Sequence, residues 1–239
     1  MPDSVSAGVV HITLRNAGRD VHEALLVRFT DSTGTAAAYA DSVRAHVDFP
    51  SNARDVGGPG LTLPGESSGV WLRLAPGRYA IVCWKGDHLV RGMVHELRVV
   101  ETGRPSADPP PATYQLTLQD FAFMLDRPFT AGRHVLHVRN AGRETHEADI
   151  FRATADAGLA EYIAWAEAGK HGLPPIAPVA GFGDLHPGEE AWVELPLTPG
   201  RYFIVCQVPA AADERPHYKH GMFTEFQIHS ANIALPDSV

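Results

Sequence analysis

The sequence predicts an all-β protein of two tandem β-sandwiches, each with a short helical insertion. Three observations predict it: a long internal repeat, short runs of period-two alternation, and Pro-Gly turns between those runs. "HITLRNAGRDVHEALLVRF" is answered by "HVLHVRNAGRETHEADIFR", so that Asn16, Gly18, His22 and Glu23 return as Asn140, Gly142, His146 and Glu147. Further along, "LRLAPGRYAIVC" is answered by "LPLTPGRYFIVC" in the same order. A duplicated domain is the simplest reading of that order.

The elements follow from local patterns. Val70, Leu72, Leu74 and Tyr79, Ile81, Cys83 alternate in the first copy, as Val193, Leu195, Leu197 and Tyr202, Ile204, Cys206 do in the second. Alternation of this kind puts one face of each strand in a core, and "LPGE", "APGRY", "HPGEE" and "TPGRY" supply tight turns between antiparallel neighbours. Leu159, Tyr162, Ile163 and Ala166 fall at helical spacing in "DAGLAEYIAWAEAG", and "GTAAAYADSVRAH" is the weaker counterpart in copy one.

The boundaries expected are residues 1–100 for the first domain, a Pro-rich linker over 101–113, 114–229 for the second domain, and a tail over 230–239. The second copy opens with "TYQLTLQDFAFMLDRPF", whereas the first has no such opening strand. The tail "SANIALPDSV" is expected to fold back and supply it.

Composition narrows the function. A net charge of −8 and 20% charged residues give a mildly acidic surface that disfavours nucleic acid. No apolar run approaches the ~20 residues of a membrane span, and "MPDSVSAGVV" carries no export signal. There is no G-x-S-x-G, Walker loop or Rossmann glycine pattern. The only two cysteines occupy equivalent places in separate repeats, so a Cys83–Cys206 disulfide is not expected and the redox compartment stays open.

Those cysteines sit in matching constellations. "CWKGDHLVRGM" places Cys83, His88 and Met93 on one loop, with His22 upstream; "CQVPAAADERPHYKHGM" places Cys206, His217 and Met222, with His146 upstream. One thiolate with two imidazoles suits a borderline or soft first-row ion, and a weak thioether in addition selects copper over a structural zinc site. A strand ending in Cys with a short loop after it lets these side chains converge on a stiff scaffold. His220 is a competitor for His217, and the paired alignment favours His217. Met124 reads as core packing, Glu66, Glu189 and Glu190 as solvated turn residues, and His95, His137 and His229 as surface strand positions.

With these residues quoted, the chain resembles two tandem Greek-key cupredoxin domains, the plastocyanin and azurin superfamily of type 1 blue copper proteins. The resemblance covers almost everything outside linker and tail. It implies His22, Cys83 and His88, and likewise His146, Cys206 and His217, as equatorial ligands, with Met93 and Met222 axial. It also implies one copper per domain, electron transfer with a redox protein partner, self-association, and a periplasmic or extracellular setting. One departure is that Glu23 and Glu147 stand where electron-transfer cupredoxins commonly have Asn after the first His; a carboxylate can take over the hydrogen bonds or approach the metal.

Multicopper oxidases, which this architecture also resembles, add His-x-His pairs and a His-Cys-His element, and copper nitrite reductases need His directly before the copper Cys. No His-x-His occurs here, and Val82 and Val205 precede the cysteines. The expectation is therefore a protein that is not an enzyme. Copper handling or storage, and a cupredoxin-like binding module without metal, stay open beside electron transfer.

Overall fold

The computed structural model describes residues 1–45, 50–103, 105–169 and 171–230. The first half carries β1 (Ser4–Ser6), β2 (Gly8–Arg15), β3 (Leu25–Phe29), α1 (Ala36–Arg44), β4 (Ala53–Asp55), β5 (Ser67–Leu74), β6 (Gly77–Val82) and β7 (Val94–Val100). The second half carries β8 (Tyr114–Gln119), β9 (Ala122–Leu125), β10 (Gly132–Asn140), β11 (His146–Arg152), α2 (Leu159–Glu167), β12 (Ala177–Leu185), β13 (Glu190–Leu197), β14 (Gly200–Val205) and β15 (Phe223–Ile228). The fold is all-β, built of sandwiched sheets with one short helix in each half, and both helices lie where the sequence placed them.

Alternation works as anticipated. In β5, Val70, Leu72 and Leu74 are buried while Trp71 and Arg73 face outward, and β13 buries Val193, Leu195 and Leu197. The "LPGE" and "HPGE" segments are tight turns: Glu66 N–H donates to Leu63 O at 3.0 Å and Glu189 N–H to His186 O at 3.0 Å. Gly65 and Gly188, at φ 83° and 85°, take the left-handed position that such a turn requires after proline.

The halves are fused through their sheets. Strand order in one sheet is β2-β5-β13-β10-β8-β9, so β5 of the first half pairs directly with β13 of the second, Trp71 opposite Trp192. The other layers, β1-β7-β6-β3-β4 and β12-β11-β14-β15, are joined by a bridge between Pro59 and Phe182, with Gly60 N–H on Gly181 O at 3.2 Å. A Cβ on Gly60 would stand 3.0 Å from Gly181 C, so glycine favours this approach. One apolar cluster contains Leu26, Val70 and Leu72 together with Leu136, Val193 and Ile204, and Arg54 reaches Glu189 across the junction at 2.9 Å.

One element breaks the symmetry. In the second half β8 runs parallel to β10, Tyr114 opposite Leu136, and turns into β9. Among the described residues no strand covers the matching outer edge of β2; β1 pairs instead with β7 in the opposite layer, Val5 beside Val99. The strand expected from 230–239 lies outside the described residues beyond Ser230.

Candidate metal centres

The first histidine of each half is positioned by the Asn-Ala-Gly turn. Asn16 is buried and donates from Nδ2 to Asp20 O and Thr62 O, both at 2.8 Å, while its Oδ1 accepts from Gly18 N–H at 2.8 Å. Asn140 repeats this with Glu144 O, Leu185 O and Gly142 N–H, each at 2.8 Å. The amide thus pins the turn to the neighbouring strand. A Cβ at Gly18 would lie 2.9 Å from His22 Nε2, and one at Gly142 2.8 Å from His146 Nε2, so the glycines let each ring lie against its turn.

Cys83 and Cys206 directly follow β6 and β14 and are buried and free of any disulfide. The loops after them close alike. Met93 N–H donates to His88 O at 2.9 Å and Cys83 N–H to Met93 O at 3.3 Å; Met222 N–H donates to His217 O at 3.0 Å and Cys206 N–H to Met222 O at 3.2 Å.

Two groups result, His22–Cys83–His88 and His146–Cys206–His217, the ligand-capable atoms of each lying within 4.8 Å of one another. Cys83 Sγ is 3.4 Å from His88 Nδ1 and 3.9 Å from His22 Nδ1. Cys206 Sγ is 3.4 Å from His217 Nδ1, which is itself 3.0 Å from His146 Nδ1. His220 stays outside, on Asp213 at 3.1 Å.

In the second group the tautomers are set from behind. His146 Nε2 meets Asp120 Oδ1 and His217 Nε2 meets Glu144 Oε2, each at 3.1 Å. Hydrogen bonds from Arg143 and Glu144 N–H and from His146 hold the Asp120 carboxyl below its usual range despite the cost of burial, so it is an ionised acceptor and His146 must donate to it. With protons at Nε2, both Nδ1 lone pairs face each other and the Cys206 sulfur at short range. A cation satisfies that arrangement, and the donor set of two imidazoles and a thiol fits a borderline or soft one.

Burial opposes charge at both sites. It holds His22, His146 and His217 below the ordinary imidazole range, with the neighbouring His88 adding to the effect at His22. Burial, then the Glu23 carboxylate, pushes the Cys83 thiol up to about 11, and burial with Glu147 raises Cys206 as well. A thiolate at neutral pH therefore needs a bound cation beside it.

Glu23 and Glu147 take the hydrogen-bonding role of the two alternatives. Trp84 N–H donates to Glu23 Oε1 at 2.7 Å and Gln207 N–H to Glu147 Oε1 at 2.9 Å, tying the strand with the first His to the strand with the Cys.

The methionines differ. Met222 is fully buried, whereas Met93 is 38% exposed. Sequence reasoning missed Asp120, Glu144 and Asp20. Asp20 and Glu144 occupy the same place two residues before the first His, a duplicated acid that could have been noticed; Asp20 Oδ2 lies 3.5 Å from His88 Nε2. Asp120 has no copy in the first half. Two other readings are corrected: Met124 is 53% exposed rather than packed, and Glu189 and Glu190 are half-buried and paired, with Arg54 and with Arg73 and His137, rather than solvated, because the junction covers their turn.

No protein-family model and no curated protein matches the sequence. Among solved structures, reduced auracyanin from Roseiflexus castenholzii is 17% identical, over 48% of this chain and 95% of that one, with a TM-score of 0.35. Lac15 from a marine microbial metagenome is 13% identical over 98% of this chain and 60% of that one, TM-score 0.29. Blue copper oxidase from Nitrosomonas europaea is 17% identical over 99% and 78%, TM-score 0.27. Likeness at this level does not reach beyond the fold. One expectation is corrected: the described residues assemble two His–Cys–His groups able to hold a metal, and proteins named as oxidases stand among the matched structures, so the absence of the His-x-His and His-Cys motifs does not exclude an enzyme.

Proposed function

We propose that the chain binds one type 1 copper in each of two cupredoxin domains, 1–100 and 114–229, and passes single electrons through them. His22, Cys83, His88 and Met93 would hold one ion, and His146, Cys206, His217 and Met222 would hold the other. Bound copper supplies a one-electron couple between Cu(II) and Cu(I). The residues supply the rest: the buried thiols and, at the second centre, the buried imidazoles exclude water, Asp120, Glu144 and Asp20 fix ring orientation, and Glu23 and Glu147 lock the two ligand-bearing strands so that geometry changes little with oxidation state.

The observation that carries this reading is the convergence of both Nδ1 atoms with the Cys206 sulfur while each Nε2 is held by a carboxylate. A redox protein partner and a periplasmic or extracellular setting go with it, as does an oxidase in which these centres would take electrons from a reducing substrate and pass them to oxygen. Adding Cu(II) to the apoprotein is expected to give an intense thiolate-to-copper band, reduced by Cys83→Ala or Cys206→Ala and absent from the double variant. Copper bound without that band would replace electron transfer by copper handling, and failure to bind copper would defeat both. Oxygen uptake with a reducing substrate distinguishes oxidase from carrier.

A further inference from the structure

The two cysteine loops differ in charge at one enclosed position. Lys85, two residues after Cys83, is only 3% exposed, and Val208 takes its place after Cys206. Enclosing a lysine to that degree is costly and needs a partner. Its Nζ donates to Asp20 Oδ1 at 3.2 Å, and Asp20 Oδ2 lies 3.5 Å from His88 Nε2. The ammonium also acts on the other two donors of this group. After burial and the neighbouring His88, it adds to the lowering of His22; against burial and Glu23, it works to ease the rise of the Cys83 thiol.

The second group has acids in the corresponding places. Glu144, at Asp20's place in the repeat, accepts from Ala211 N–H at 2.9 Å and meets His217 Nε2 at 3.1 Å. Asp120 meets His146 Nε2 at 3.1 Å, and Glu147 stands where Glu23 does. Two carboxylates and one ammonium are thus hydrogen-bonded around the first group, and three carboxylates around the second.

A thiolate with two neutral imidazoles leaves one net positive charge on a Cu(II) centre and none on a Cu(I) centre. A cation held nearby disfavours the charged state and carboxylates favour it, with more force in a dry interior than in water. Burial pulls the other way, because the second group is the more enclosed. With Cys83 fully buried and His88 only 15% exposed, however, the two groups differ little in burial, so charge decides the order.

We propose that Lys85 sets the first centre at the higher reduction potential of the two, so that an electron shared between them moves from Cu(I) at the second centre to Cu(II) at the first. One electron leaves one ion and arrives at the other, with no proton or ligand exchanged. The inference rests on the copper reading above and adds a direction to it.

Redox titration of the thiolate-to-copper band tests the order, in Cys206→Ala for the first centre and in Cys83→Ala for the second. The first is expected to have the higher potential. Lys85→Met on the Cys206→Ala background should lower that potential by about 59 mV, a roughly tenfold change in a one-electron equilibrium, and Lys85→Arg should keep it. Lys85→Gln, which retains a donor for Asp20 without the charge, should give the same drop and separates charge from packing. A higher potential at the second centre, or an unchanged one in Lys85→Met or Lys85→Gln, overturns the inference and leaves copper binding standing. Absence of the band from both parent proteins defeats the copper reading and this order with it.

Discussion

His146 and His22 descend from the same repeated turn, lie against equivalent glycines and face equivalent cysteines, yet one is fully buried with Asp120 behind it and the other is half-buried with nothing behind it among the described residues. The difference comes from β8 and β9, whose turn carries Asp120 and sets Phe121 edge-on over His217 at 5.0 Å. Met222 is sealed and Met93 is not. A candidate site of this kind therefore consists of its His–Cys–His group plus the strand that closes the sandwich beside it, and duplicating the group does not duplicate the closure among the described residues.

The largest effect that can break this comparison is removal of a thiol. Cys206→Ala should abolish the charge-transfer band of the second centre and leave that of the first, and Cys83→Ala the reverse; visible spectra of the copper-loaded variants check this. If one substitution abolishes both bands, the centres are not independent. Next, Asp120→Ala should weaken copper at the second centre by about 10- to 100-fold and leave the first untouched, making the buried site resemble the open one. Competitive titration with a chelator, on a Cys83→Ala background, measures it.

The junction tests whether the halves respond as one body. Burial, with the nearby Glu189 carboxylate adding to it, raises Asp55 to about 6. A carboxyl whose folded pKa exceeds its unfolded one penalises the fold above the folded value and relieves it as pH falls from about 6 towards 4. Asp55→Asn should thus stabilise the protein by roughly 1–2 kcal/mol at pH 8 and little at pH 4, read from the urea midpoint. A separate early transition would show that the fused sheet does not couple the halves. The smallest effect is at the tether: Glu147→Gln keeps an acceptor for Gln207 N–H but removes a charge that favours Cu(II). It should raise the second centre's reduction potential by about 40 mV, the equivalent of roughly 1 kcal/mol, seen by voltammetry.

Much of the candidate site was legible because it is local. Cys83, His88 and Met93 share one loop, and repetition as Cys206, His217 and Met222 separates a pattern from chance. Both helices were legible from apolar spacing. Asp120 was not, since it stands 26 residues from His146 in a turn without a second copy, and only the β8–β10 pairing brings them together. Trp71 and Trp192 stand opposite each other where the halves meet, but nothing in period-two alternation says that β5 and β13 join edge to edge. Glu189 went wrong for the same reason: its turn looks solvated until the other half arrives.

By itself the sequence determined the fold class, the repeat and which thiols and imidazoles meet, because strand alternation, turn chemistry and loop spacing act over a few residues. Only the tertiary structure decided that the two sandwiches share sheets and a core, that one histidine has a carboxylate behind it, and that among the described residues no strand pairs with the outer edge of β2. Those outcomes depend on which strand edges pair, a choice made by backbone hydrogen bonds common to every residue and written in no side-chain pattern.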